Sequence, residues 1–177
     1  STYVITQPDA LVLSGSLTNV SCYGADDGSI DITVSGGTKD YSYLWTTTNG
    51  SGLESDEADQ SGLEAGTYKV VVTDANGCLK EDSFDIIEPN ELLISLDTTT
   101  NKSLLCYGDS TSIIINITQE STPPYSFILN GKDYKNDTVI ENIIHQHPHI
   151  DPDITTYTFK VVSGKYKVTV VDENGCS

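Results

Sequence analysis

Apolar and polar residues alternate with period two wherever the chain is regular. In SIDITVSGG, residues 29–37, Ile30, Ile32 and Val34 fall on one face and Asp31 and Thr33 on the other, the pattern of a half-buried strand. No stretch carries the 3.6-residue period of an amphipathic helix. Short alternating runs separated by frequent turn signals predict an all-β sandwich. The runs place strand A at 9–14, B at 29–35, C at 41–46, a weaker pair through the middle, F at 67–73 and G in CLKEDSFDII, 78–87. Between F and G stands Asn76-Gly77, a pair suited to closing a hairpin.

The pattern occurs twice. ITQPDALVL (5–13) matches IIEPNELLI (86–94), and NVSCYGADDGSIDITV (19–34) matches SLLCYGDSTSIIINIT (103–118), which sets Ile30, Ile32 and Val34 on Ile113, Ile115 and Ile117. YSYLW (41–45) matches YSFIL (125–129), and GTYKVVVTDANGC (66–78) matches GKYKVTVVDENGC (164–176). The inward face is kept in both copies, so the chain reads as two tandem immunoglobulin-like or PKD-like β-sandwich modules, 9–88 and 89–177. The second copy has an insertion near 132–158, expected to be a surface loop. Residues 1–8, STYVITQP, align with DSFDIIEP, 82–89. They read as the final strand of a preceding repeat. The second module then lacks its own final strand, and its sheet edge is expected to be open or to be filled by residues 1–7 of another copy.

Composition narrows the partners. The 177 residues hold 9 Lys and Arg against 26 Asp and Glu, a balance that argues against nucleic acid and anionic membrane surfaces. No run approaches the roughly 18 to 20 apolar residues that span a bilayer as a helix. There is no G-x-S-x-G, H-E-x-x-H, P-loop or G-x-G-x-x-G signature, so the expectation is a chain that is not an enzyme.

The order C-x-G, DGSIDITVSGG, YSYLW, GLEAGTYKVVVTDANGC resembles the SprB-repeat modules of giant gliding-motility adhesins of flavobacteria and their Bacteroidetes relatives, and more loosely PKD-type modules. The resemblance covers nearly all of the first copy and fades through the insertion of the second. It implies a non-catalytic repeat segment of a secreted adhesin on the surface of a Gram-negative bacterium, exported by the type IX route. The segment would act as a stalk or filament in adhesion and gliding. Its implied partners are neighbouring repeats, together with surface polysaccharide or the gliding machinery. Two other readings stand beside it: a carbohydrate-binding accessory module of a secreted enzyme, and a filament subunit completed by strand addition.

Cys22, Cys78, Cys106 and Cys176 read as disulfide cysteines in such a setting. Two pairings are open. One lies within each module, Cys22 with Cys78 and Cys106 with Cys176. The other crosses modules, Cys22 with Cys176. In a sandwich, Cys22 at the foot of B and Cys78 in the F–G turn stand a strand length of ~20 Å apart, beyond the ~4.4 to 6.8 Å between bridged Cα atoms.

Asp26, Asp27, Glu88, Asp172 and Glu173 form acidic loops that offer hard oxygen ligands for calcium, the one candidate cofactor of a chain that requires none. The competing reading is solvated turn residues. HQHPH sets His145, His147 and His149 at alternate positions, a zinc, copper or nickel set if extended, a floppy loop otherwise. Trp45, with Tyr41 and Tyr43, is either a sugar platform or the strand-C core aromatic of a sandwich. Tyr68 and Tyr166 stand where such folds put a tyrosine whose hydroxyl ties down the preceding corner. Asp97-Thr98-Thr99, Asp109-Ser110-Thr111 and Asp137-Thr138-Val139 resemble Bacteroidetes O-glycosylation tripeptides.

Overall fold

The computed structural model describes residues 3–4, 6–54, 56–97, 110–119, 123, 125–133, 139–146, 156–161 and 164–177. The chain divides into two compact units, Ser1–Glu88 and Pro89–Ser177. Both are all-β among the described residues.

Unit one holds β1 (Val12–Thr18), β2 (Gly28–Ser35), β3 (Ser42–Thr47), β4 (Gln60–Leu63), β5 (Gly66–Thr73) and β6 (Leu79–Ile86). Two three-stranded antiparallel sheets form, in the orders β1-β2-β4 and β3-β5-β6. Each sheet sends one face inward, as the alternation requires. Leu13, Ile30 and Leu63 from the first meet Trp45, Tyr68, Val70, Val72, Phe84 and Ile86 from the second in a single core.

The first strand departs from the sequence reading. It begins at Val12 rather than residue 9 and runs on through Ser14-Gly15-Ser16, which pair with Thr33, Ile32 and Asp31. Small residues that look like a turn are here a strand interior. The cause is a close approach: a Cβ on Gly15 would lie 2.6 Å from Cζ of Phe84, so the aromatic of β6 sits on the bare backbone of β1.

Unit two holds β7 (Leu93–Asp97), β8 (Thr111–Gln119), β9 (Ser126–Asp133), β10 (Val139–Gln146), β11 (Thr156–Val161) and β12 (Gly164–Val171). Its sheets run β11-β8-β7 and β10-β9-β12. The first repeats the order of the β1-β2-β4 sheet. The second does not repeat its counterpart. In unit one β5 is flanked by β3 and β6; in unit two β12 pairs with β9 on one side and with no described strand on the other. The third strand, β10, adds to the far edge of β9. It comes from the insertion, which is therefore strand over 139–146 and not only loop. VIENIIHQ is rich in β-branched residues, and the open edge of β9 satisfies its backbone.

The core of unit two gathers Ile115, Ile117, Tyr125, Phe127, Leu129, Tyr157, Phe159, Val161 and Val170. Phe127 lies at its centre, with ring centroids 4.3 Å from Tyr157 and 5.5 Å from Phe159.

Candidate functional site: the cysteine turns and the open sheet edge

The turn Asp74-Ala75-Asn76-Gly77-Cys78 is organised by one buried carboxylate. Oδ1 of Asp74 accepts the N–H groups of Asn76 at 2.9 Å and Cys78 at 2.8 Å, and Oδ2 accepts that of Thr38 at 2.9 Å. Its backbone closes the same loop, with Gly77 N donating to Asp74 O and Asp74 N to Cys78 O. Gly77 has φ +83°, the left-handed conformation that a three-residue hairpin loop demands and glycine supplies without strain. Three N–H donors favour the ionised form, so the carboxyl of Asp74 titrates below its ordinary range, chiefly through Thr38 and then Cys78. The same charge raises the pKa of the Cys78 thiol.

Unit two repeats the turn. Cys176 N donates to Oδ1 of Asp172 at 2.9 Å, Asp172 N to Cys176 O, and Gly175 N to Asp172 O. Gly175 has φ +88°. Asp172 is buried like Asp74. The turn forms in both units with the same Asp-carboxylate and Gly bonds.

The cysteines differ in state. Cys22 is disulfide-bonded, and so is Cys176. Cys78 is an exposed free thiol, which removes the Cys22–Cys78 pairing. Topology gives the reason. Cys22 lies in the β1–β2 loop, at the end of unit one where Gly28 approaches Ile86. Cys78 lies at the other end, where the turn holds Thr38 beyond β2. The eight residues of β2 separate them by ~26 Å at ~3.3 Å per residue. Cys106 lies outside the described residues.

The acidic residues serve the backbone. Asp27 accepts Ser21 N at 2.9 Å and titrates low because of its hydrogen bonds to Ser21. Glu88 accepts Gly24 N at 2.8 Å, and Asn19 accepts Ile87 N at 3.0 Å, so the chain leaving β6 is tied to the Cys22 loop. Asp172 is occupied by its turn. Asp26 and Glu173 are exposed. Among the described residues no group of three or more His, Cys, Asp or Glu is placed to hold a metal ion. His145 falls in β10, opposite Phe127; His147 and His149 lie outside the described residues.

Trp45 is 2% exposed, donates its indole N–H to the Glu57 carbonyl at 3.0 Å and packs 6.0 Å from the Phe84 ring. Its place in the core leaves no indole face for a sugar ring. Tyr68 is fully buried, its hydroxyl 2.7 Å from the Glu64 carbonyl four residues upstream and 2.9 Å from that of Ser51, while it accepts Ser51 N. Burial raises its pKa. Tyr166 packs on the core of unit two from a partly buried position.

The edge that β12 presents is lined by apolar groups. A groove of about 250 Å³ runs between Leu92 and Ile94 on one side and Val168 and Val170 on the other, with Ser177 at its rim. The aligned positions of unit one are more closed: Leu13 is 8% exposed where Ile94 is 38%, and Val70 is fully buried where Val168 is half-buried. What closes unit one is β6, through Phe84 and Ile86. The sequence carries no signal for this side-chain groove.

Among the described residues no helix is long and apolar enough to cross a membrane. No curated protein matches the chain. Residues 14–50, which span β1 to β3 and hold Cys22 and Trp45, match the SprB repeat family.

Proposed function

We propose that this chain is a non-catalytic repeat segment of a large secreted adhesin on a bacterial cell surface, serving as a stalk or filament in adhesion and gliding. The observation that carries the reading is the match of residues 14–50 to the SprB repeat. Oxidised Cys22 and Cys176 support an exported location, because cytosolic proteins rarely keep structural disulfides. The duplicated Asp-x-Asn-Gly-Cys turn supports a module made to be used in series.

In this reading Cys22 bonds Cys176, and export follows the type IX route. Such a bond resists extension of the array under shear. The partners are neighbouring repeats and a surface ligand or the motility machinery. The burial of Trp45 disfavours the carbohydrate-binding reading, which needs an exposed aromatic row.

Antibodies raised against the 177-residue chain test the location. Labelling of intact cells of the source bacterium, abolished by mild external protease, is the expected result. Labelling only after lysis contradicts it.

A further inference from the structure

The outer edge of β3 is bare, and the aligned edge of unit two is not. YSYLW of β3 aligns with YSFIL of β9, and the two strands pair with β5 and β12 in the same register, Leu44 facing Val71 as Ile128 faces Thr169. On its other side β9 carries β10, which sets Ile144 opposite Ile128 and Gln146 opposite Ser126. β3 has the edge of its sheet instead. The side chains record the difference: Ser126 and Ile128 are half-buried, whereas Ser42 is exposed and Leu44 is 56% exposed. We propose that the outer edge of β3 receives an extended segment of a partner protein as an antiparallel strand, a segment with alternating apolar residues and Lys or Arg at its ends. The inference is independent of the cell-surface reading.

Sheet edges are normally blunted by charge, by shortness or by a weak point in the strand. In unit one β6 carries Lys80, Glu81, Asp82 and Asp85, β4 is four residues long with Gly62 at φ +69°, and β1 holds Gly15 at its centre. β3, Ser42–Thr47, has no charge, proline or glycine. Among the described residues no loop makes a backbone hydrogen bond to it. Its outer backbone groups are therefore open to a ladder, and Leu44 with Val71 beside it offers the apolar contact that fixes register.

Charge selects the occupant. The loop 54–59 is held against β3 by the Trp45 indole, which donates to the Glu57 carbonyl at 3.0 Å, and it exposes Glu54, Asp56, Glu57 and Asp59. A second copy would bring the same carboxylates against these, in a chain of formal net charge −17. A segment whose apolar residues are flanked by Lys or Arg meets them with opposite charge. Its middle is of the kind seen in β10, where VIENIIHQ is rich in β-branched residues.

Two measurements on the full chain test this, with a synthetic peptide of roughly nine residues as the probe, its alternating Val and Thr flanked by a Lys pair at each end. Calorimetry should show saturable binding that weakens as salt rises. Leu44→Lys should weaken it about tenfold or more, and Leu79→Lys, the same charge change at the far edge of the sheet, should leave it within about twofold. Both side chains are exposed, so both variants fold. On the wild-type chain, hydrogen exchange should show the peptide slowing amides within Ser42–Thr47 and not those of β1 or β6. No saturable binding below about 1 mM peptide overturns the proposal. So does equal binding of the same peptide with Glu for Lys or with Pro at its centre, an equal loss in Leu79→Lys, or protection at β1 or β6. A chain that dimerises through β3 without peptide assigns the edge to a second copy and overturns it too.

Discussion

The two units begin from nearly the same words and end with differently closed cores. Tyr68, Val70 and Val72 on β5 are fully buried, whereas of their counterparts on β12 only Val170 is, with Tyr166 and Val168 half-buried. The β12 strand is no less apolar than β5. The difference lies one strand away, in the presence of β6 with Phe84 and Ile86. A sandwich position is therefore buried by its neighbours and not by its own hydrophobicity: with no described strand beside β12, positions on β7 and β12 are more exposed than those on β1 and β5.

That comparison can be broken at its strongest point by Phe84→Ala. The substitution removes the ring that covers Gly15 and packs on Trp45. Unit one should lose about 3 to 4 kcal/mol, read by urea denaturation through the fluorescence of Trp45, the single tryptophan. Hydrogen exchange should then show β1 and β5 approaching the protection of β7 and β12. A loss under about 1 kcal/mol would mean that β6 is not what closes unit one.

Tyr68→Phe comes next. Its hydroxyl bonds bury two carbonyls and an N–H, so its removal should destabilise unit one by about 2 kcal/mol. A matched pair sharpens the contrast further: Val70→Ala should cost about 2 kcal/mol and Val168→Ala less than about 1, since the first empties a sealed site and the second a half-open one. Equal losses, read by hydrogen exchange in each unit, would remove the distinction between sealed and open.

The acid limb of stability offers a smaller effect. Asp74 and Asp27 have depressed folded pKa values, so each contributes stability that is full above the ordinary carboxylate pKa of about 4 and is lost as pH falls through the depressed folded value. Asp74→Ala should lower the unit-one melting temperature by a few degrees at pH 7 and narrow its advantage over the variant below pH 3. The raised pKa of Cys78 has the opposite chemical sense: its thiol should alkylate slowly at pH 8 for so exposed a group, and faster in Asp74→Asn. The smallest effect concerns calcium. With Asp27, Glu88 and Asp172 engaged by backbone N–H groups, melting in calcium and in EDTA should coincide.

Much of this was legible in the residues, and the exceptions have physical causes. Alternation in SIDITVSGG placed β2 because one face is core and the other solvent. The repeated Asp-x-Asn-Gly-Cys placed both hairpin turns, because the bonds that define them lie within five residues. The reading of strand A stops at residue 14, short of Gly15, because a glycine admitted by an aromatic ring sixty-nine residues away gives no local strand signal. The insertion misled because a strand at 139–146 depends on an available edge of β9, which no local pattern announces. The N–H partners of Asp27 and Glu88, on Ser21 and Gly24, depend on how their loops fold, which composition does not show.

The cysteines test the account most directly. Peptide mapping of the exported chain under non-reducing conditions, with free thiols alkylated first, should recover a fragment joining Cys22 to Cys176 and find Cys78 carrying the alkyl label. A fragment joining Cys22 to Cys78 would contradict the proposed Cys22–Cys176 bond and the reading of this chain as a segment built to be joined in series.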